Sequence, residues 1–264
     1  MKLMLAFIVI PVALTCFSGN SSADDKKQIK VAILYDNTIH AEGCQSDWGF
    51  SCLIEGLEQT ILFDTGTQSE ILFHNIEQLG VNPKSVDLVV LSHDHGDHTG
   101  GLARFLEANS DVTVYYPVSF SQTIKQTVQD AGAKGVDVTN PVTICKDVHL
   151  TGELGDAIKE QAIVLETSRG LVVITGCAHP GIVKILEHVK NTHNKNIELV
   201  FGGFHLMTHS EAQVHAIVDE FQKLGVKQAG ATHCTGEGSI AIFRERYGED
   251  FVPMGVGRVL TIER

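Results

Sequence analysis

The sequence predicts an α/β domain in which helices cover layered sheets, and two observations predict it. Short runs rich in β-branched and apolar residues alternate with stretches whose apolar residues recur at helical spacing, joined by long connections. Several of the apolar runs stop abruptly at Gly, Ser or His, so polar side chains gather where strands end.

In chain order, residues 30–35, 49–55 and 59–63 read as successive strands. Residues 69–79 place Leu72, Ile76 and Leu79 on one helical face, and Gly80 stops the run. Residues 88–91 are a strand again. Helices follow at 102–108 and 119–131, separated by a strand at 113–116. Residues 136–164 form a strand-and-hairpin region that carries Cys145 and His149. The second half repeats the rhythm. Strands 161–167 and 171–175 make a hairpin that turns at Ser168-Arg169-Gly170. Helices 181–189 and 210–224 alternate with strands 197–201 and 228–231, before a helix at 237–247 and a closing strand at 258–262. Periodicity alone does not separate this layout from a doubly wound sheet; the motifs do.

Composition narrows the class. Of the 264 residues, 43% are hydrophobic and 20% charged, which suits a soluble chain with a sizeable core. No Pro/Ser-rich linker or charge block divides it, so residues 24–264 read as a single domain. Residues 1–23 read as a secretory signal peptide. Lys2 leads an apolar run at 3–17, and Ser21-Ser22-Ala23 offers small residues for cleavage. Pro11 and the short apolar length argue against an uncleaved anchor, so the expectation is an exported protein, periplasmic or secreted, with no membrane contact after cleavage. The net charge of −12 becomes −13 when Lys2 is removed, which argues against nucleic acid as a partner. Five cysteines remain after the leader, an odd number. Cys44 and Cys52 are spaced for a disulfide in an oxidising compartment or for two free thiols, and the sequence leaves both open. Nothing in it reports on oligomeric state.

The chemistry is concentrated in Leu91-Ser92-His93-Asp94-His95-Gly96-Asp97-His98-Thr99, directly after Leu88-Val89-Val90. Three imidazoles and two carboxylates in six residues exceed what a solvated loop needs. Imidazole suits zinc, copper, iron or nickel, and carboxylate adds harder character suited to manganese or iron. Three later strand ends each carry a histidine, in the phrases Gly176-Cys177-Ala178-His179-Pro180-Gly181, Gly202-Gly203-Phe204-His205-Leu206 and Thr232-His233-Cys234-Thr235-Gly236. Upstream, Phe63-Asp64-Thr65-Gly66 closes another strand.

This H-x-H-x-D-H pattern with its later histidines resembles the metallo-β-lactamase-fold hydrolase superfamily. The phrases around His179, His205 and His233 are similar to the branch of the archaeal dihydropterin-ribofuranosyl-aminobenzene phosphate synthase and its bacterial relatives. The resemblance implies a four-layer αββα sandwich and one or two divalent metal ions, zinc first, with manganese or iron as alternatives. It implies that His93, His95 and His179 hold one ion and Asp97, His98 and His233 a second. Asp64 is expected to accept a ring N–H from a ligand histidine and fix its tautomer, or else to cap its turn. Asp94 is expected to point away. Cys177 and Cys234 read as small buried residues, with soft metal ligation or thiol reactivity as alternatives. The chain departs from the superfamily at the fourth motif: Gly202-Gly203-Phe204-His205 carries no acid to bridge two metals. His205 therefore reads as a substrate or proton-transfer residue, a replacement ligand, or a structural residue.

Asp97 and His205 are the expected catalytic residues of a metal-dependent hydrolase, in which a metal-activated water attacks an ester, phosphoester or similar bond. Thr235-Gly236 and His179-Pro180-Gly181, each before a helix, favour an anionic small-molecule substrate. Two other functions stay open: a pterin-diphosphate-dependent transferase of the synthase type, and a metal-containing binding or sensing module without turnover.

Overall fold

The computed structural model describes residues 28–264, so the leader expected at 1–23 lies outside the described residues. Strands β1 (Gln28–Tyr35), β2 (Ser51–Glu55) and β3 (Ile61–Phe63) pair antiparallel in turn. Helix α1 (Ser69–Gln78) leads to β4 (Leu88–Val90), parallel to β3. Helices α2 (Gly96–Thr99) and α3 (Leu102–Ala108) lead to β5 (Thr113–Pro117), and α4 (Gln122–Asp130) to β6 (Lys134–Val138), both added in parallel. The second sheet opens with an antiparallel run: β7 (Val142–Cys145), β8 (Val148–Leu150), β9 (Ile163–Thr167) and β10 (Gly170–Thr175). Helices α5 (Ile182–His193) and α6 (Glu211–Leu224) then carry the chain to the parallel strands β11 (Ile197–Gly203) and β12 (Gln228–Thr232). After α7 (Glu237–Tyr247), strand β13 (Val259–Glu263) returns to the first sheet beside β1. The spatial orders are β13-β1-β2-β3-β4-β5-β6 and β12-β11-β10-β9-β8-β7.

Two-residue alternation along the strands builds the layers. Ile29, Val31 and Ile33 of β1 face Val172 and Ile174 of β10 across the space between the sheets. Leu53, Leu62 and Val89, on the opposite face of the first sheet, pack under α1 and α3. Val164, Val173 and Val200, on the outer face of the second, pack under α5 and α6. The result is the expected four-layer αββα sandwich.

Element boundaries shift where capping chemistry is subtle. Helix α5 runs four residues past the expected end at 189, because Asn194 supplies the left-handed cap and returns its N–H to the Lys190 carbonyl. Helix α4 begins only at Gln122, because the Ser121 side chain accepts the Ile124 N–H. Strand β11 extends through Gly202 and Gly203, two residues past its expected end at 201. A Cβ on Gly202 would lie 2.0 Å from the Thr175 carbonyl oxygen of the neighbouring strand, and its φ is +118°. Cys44 and Cys52 are both free. Cys52 faces the space between the sheets, whereas Cys44 adjoins Gly43 and Gln45, which bond to His74 and Asn75 of α1 on the outer face. They lie on opposite sides of the first sheet, which corrects the disulfide alternative. Among the described residues no helix is long and apolar enough to cross a membrane.

Phe204, Phe221 and Phe243 form an aromatic triangle with centroids 5.2–5.5 Å apart. It anchors the exit of β11 to α6 and α7. Phe221→Ala is expected to lower the free energy of unfolding by about 3–5 kcal/mol in chemical denaturation. A loss below about 1 kcal/mol would mean that the site relaxes or that the triangle is loosely packed.

Candidate metal centre

Five strand ends, those of β3, β4, β10, β11 and β12, deliver polar residues to one edge of the sandwich. Sharp turns aim them. Asp64, Ala178, His205 and His233, each just past a strand, have positive φ of 50–61°, a conformation that costs non-glycine residues free energy and concentrates at functional sites.

Two groups of donors result. His93, His95 and His179 form one, with their donor atoms within 4.8 Å of one another; Asp97, His98, Cys177 and His233 form the other. The His93 and His98 rings, 4.2 Å apart between centroids, join the groups. Within them His93 Nε2 lies 3.1 Å from His95 Nδ1, and Asp97 Oδ2 lies 3.3 Å from His233 Nε2 and 3.6 Å from His98 Nε2. Ligands around one tetrahedral zinc ion stand about 3.4 Å apart at ordinary Zn–N and Zn–O lengths. His205 joins neither of these groups. It lies at the exposed rim, its ring 4.2 Å from that of His179, with a nitrogen within 4.8 Å of the thiols of Cys177 and Cys234.

On His93, His98 and His233 the inward nitrogen is fixed by what the other ring nitrogen does. His98 Nδ1 donates to Asp64 Oδ2 at 2.7 Å. The Ser92 hydroxyl donates to the same oxygen at 2.7 Å and accepts from His93 Nδ1 at 2.9 Å, so Asp64 reaches His93 through Ser92. Gly176 makes room for this relay: a Cβ there would lie 2.1 Å from Ser92 Oγ. His233 Nδ1 donates to Asn37 Oδ1 at 3.0 Å. Asp94 turns outward and accepts the Ser121 N–H at 2.7 Å.

Sequence reasoning missed three supporting residues. Glu160 is fully buried and accepts the backbone N–H groups of Cys177, Ala178 and His179 at 2.8–2.9 Å, clamping the loop that presents His179. Its only signal is an acid directly before an apolar strand. Trp48 donates Nε1–H to Asp97 Oδ2 at 2.8 Å and tilts its ring over His233 at 4.8 Å. Asn37 grips His233. One expected feature is corrected. Thr235 is buried with its hydroxyl accepting the Phe204 N–H at 3.0 Å, and Glu237 opens α7, so Thr235-Gly236 is occupied in holding β11 rather than open to an anion.

The electrostatics prepare the donors for a cation. Burial, then the charges of neighbouring imidazoles, holds His93 well below the usual histidine range, and burial with His205 and His95 lowers His179 to about 4. Burial opposes ionisation of Asp97, but His233 and His98 overcome it and hold the carboxyl far below its usual range. For His98, burial is outweighed by Asp64, which raises its pKa. Burial lifts Glu160 to about 7 against the three backbone N–H groups it accepts. His179 Nε2 and His233 Nε2 are buried without hydrogen-bond partners. His93 and His179 held neutral, with orphaned ring nitrogens on His179 and His233 beside an ionised Asp97, suit a divalent metal, whose binding must displace the His98 proton, so the residues present fit one.

A model of the metallo-beta-lactamase superfamily matches residues 49–242. The chain belongs to that superfamily. It is 30% identical to the 7,8-dihydropterin-6-methyl-4-(beta-D-ribofuranosyl)-aminobenzene-5'-phosphate synthase of Methanocaldococcus jannaschii, over 81% of this chain and 90% of that protein. An uncharacterised protein of the same organism is 28% identical, over 88% of this chain and all of that one. The solved structure of Tm1679, described as a metal-dependent hydrolase of the beta-lactamase superfamily, is 28% identical with a TM-score of 0.76, covering 89% of this chain and all of that one.

Removing the clamp should loosen the metal without touching a donor. Glu160→Gln keeps the shape but replaces one acceptor oxygen by a donor, and is expected to weaken zinc affinity by roughly 10–100-fold in competitive chelator titration. Unchanged affinity would mean that the Glu160 clamp has no influence on the metal.

Proposed function

We propose that the protein is a metal-dependent hydrolase that cleaves an ester, phosphoester or similar bond of an anionic small molecule. The observation that carries this reading is the pairing of the two donor groups, with His93 against His98 and an exposed histidine at their rim. His93, His95 and His179 would hold one divalent ion, and Asp97, His98 and His233 a second, with Cys177 of the same donor group as an additional thiol donor. Zinc is the first choice for so nitrogen-rich a set. Ions held there supply Lewis acidity to water and to the substrate oxygen.

The chain's own residues divide the remaining work. Asp64 and Ser92 keep His93 and His98 in the tautomers whose Nε2 faces inward. Trp48 holds Asp97 in place. His205 is the group free to carry a proton. It is exposed, and its pKa is raised chiefly by hydrogen bonding with Cys234, so it can protonate a leaving oxygen near neutral pH. Two cavities flank the edge. One of about 460 Å³ is lined by His179, Pro180 and Lys184, where the Lys184 ammonium would meet an anionic group. The other, of about 600 Å³, is lined by Trp48, Met207, His233, Arg244 and Phe251, which suits an apolar or aromatic portion.

A second reading has its own support. The synthase likeness, spread over 90% of that protein, favours a transferase acting on a pterin diphosphate, and the aromatic cavity beside His233 would take a flat ring. Export, read from residues 1–23, weighs against such a cytosolic substrate. We place the protein in the periplasm or outside the cell on that leader.

His205→Ala is expected to lower kcat by about 10²–10⁴-fold while metal content stays intact. The assay is metal analysis with turnover of a phosphodiester, phosphomonoester, ester and lactone panel, alongside the pterin diphosphate. Falling metal content would make His205 a ligand, and unchanged metal and turnover would make it structural. A fully metallated wild-type protein that turns over none of the panel would overturn the hydrolase reading in favour of binding alone.

A further inference from the structure

A second cluster of metal-type donors lies at the other end of the second sheet. His149 stands on β8, Glu166 on β9 and His193 in the last turn of α5. Their neighbours Val148, Leu150 and Leu165 face the space between the sheets, so His149 and Glu166 project from the outer face toward α5. Helix α5 starts just after His179 and its 12 residues span roughly 18 Å, which sets His193 far from the strand-end site.

The three side chains converge on one point. Glu166 Oε1 lies 3.2 Å from His193 Nδ1 and 3.5 Å from His149 Nε2, and the donor atoms of all three lie within 4.8 Å of one another. The two imidazole rings are 4.8 Å apart between centroids. His149 Nε2 is buried and makes no hydrogen bond. Its other nitrogen, Nδ1, meets the Thr143 hydroxyl at 2.8 Å across the β7–β8 pair, where Thr143 and His149 stand directly opposite. A Thr143 hydroxyl that accepts from Nδ1–H leaves the Nε2 lone pair facing a carboxylate oxygen, two acceptors with nothing between them. Their separations match those of ligands on one zinc ion, about 3.4 Å. Burial, then the nearby His193, keeps the His149 pKa below the usual range, so the ring does not supply the missing proton itself. Lys195 pairs with the other oxygen, Glu166 Oε2, at 2.6 Å, and leaves Oε1 to the histidines.

We propose that His149, Glu166 and His193 form a second, structural zinc site that clips β8, β9 and the end of α5 together. Two imidazoles and one carboxylate favour zinc over calcium or magnesium, which take oxygen ligands. Water completes the coordination on the open side. The site is independent of whatever reaction the strand-end groups perform.

Crystals of the full chain equilibrated with zinc and measured above and below the zinc absorption edge test this directly. An anomalous peak enclosed by the three side chains is expected, absent in His149→Ala. Zinc titration of surface variants gives a readout that a plain hydrogen-bonded cluster would not produce. Thr143→Val should weaken this class of site by roughly tenfold or more, whereas Lys195→Ala, which removes a competing cation, should tighten it. No anomalous peak at the cluster overturns the proposal whatever the strand-end groups hold, and so does zinc binding indifferent to all three variants.

Discussion

The Asp64 carboxylate is the fixed point on which the metal edge is built. It sits fully buried at the end of β3, in a left-handed turn, and receives the Ser92 N–H, the Ser92 hydroxyl and His98 Nδ1, each at 2.7 Å. A buried carboxylate without such partners would cost several kcal/mol. With them it becomes an orienting device, because each donor it binds sets the direction of a neighbouring imidazole. One oxygen fixes His98 directly and His93 through Ser92, so both donor groups inherit their geometry from a single side chain. The parallel β3–β4 pairing brings Asp64 beside Ser92, and Gly176 lets β10 close over them. Fold and site are therefore one construction: the sheet edge must form before the tautomers are defined.

The second feature that shapes the site is the absent carboxylate at the fourth strand end. Gly203 permits a close approach there; a Cβ would lie 2.6 Å from Cys234 Sγ. Thiols lie beside the second donor group instead, with Cys177 Sγ 3.3 Å from His98 Nε2. Hydrogen bonding with Cys234, and then burial, pushes the Cys177 thiol well above its usual range. The second donor group is therefore softer and less charged than one completed by a carboxylate.

Much of this was legible in the sequence because the signals are local. The alternation of inward and outward residues in β1 or β10, the stop at Gly80 and the dense His93–His98 loop depend on neighbours a few residues apart. His179, His205 and His233 could be singled out because each follows an apolar run. Glu160, Trp48 and Asn37 could not, since their partners are 17, 49 and 196 positions away and nothing nearby marks them. Thr235 misled for the opposite reason: a Thr-Gly pair before a helix looks like an anion cradle until the long-range bond to Phe204 is seen. The same limit hid the convergence of His149, Glu166 and His193, which only the packing of α5 on the second sheet creates.

The account stands on imidazole nitrogens that converge beside an ionised carboxylate to hold a cation. Equilibrium titration of metal-free protein with zinc at neutral pH, with the ions located by anomalous scattering, tests it most directly. Density enclosed by His93, His95 and His179, and beside Asp97 and His233, is the predicted result. A protein that stays free of metal at these strand ends under saturating zinc would contradict it.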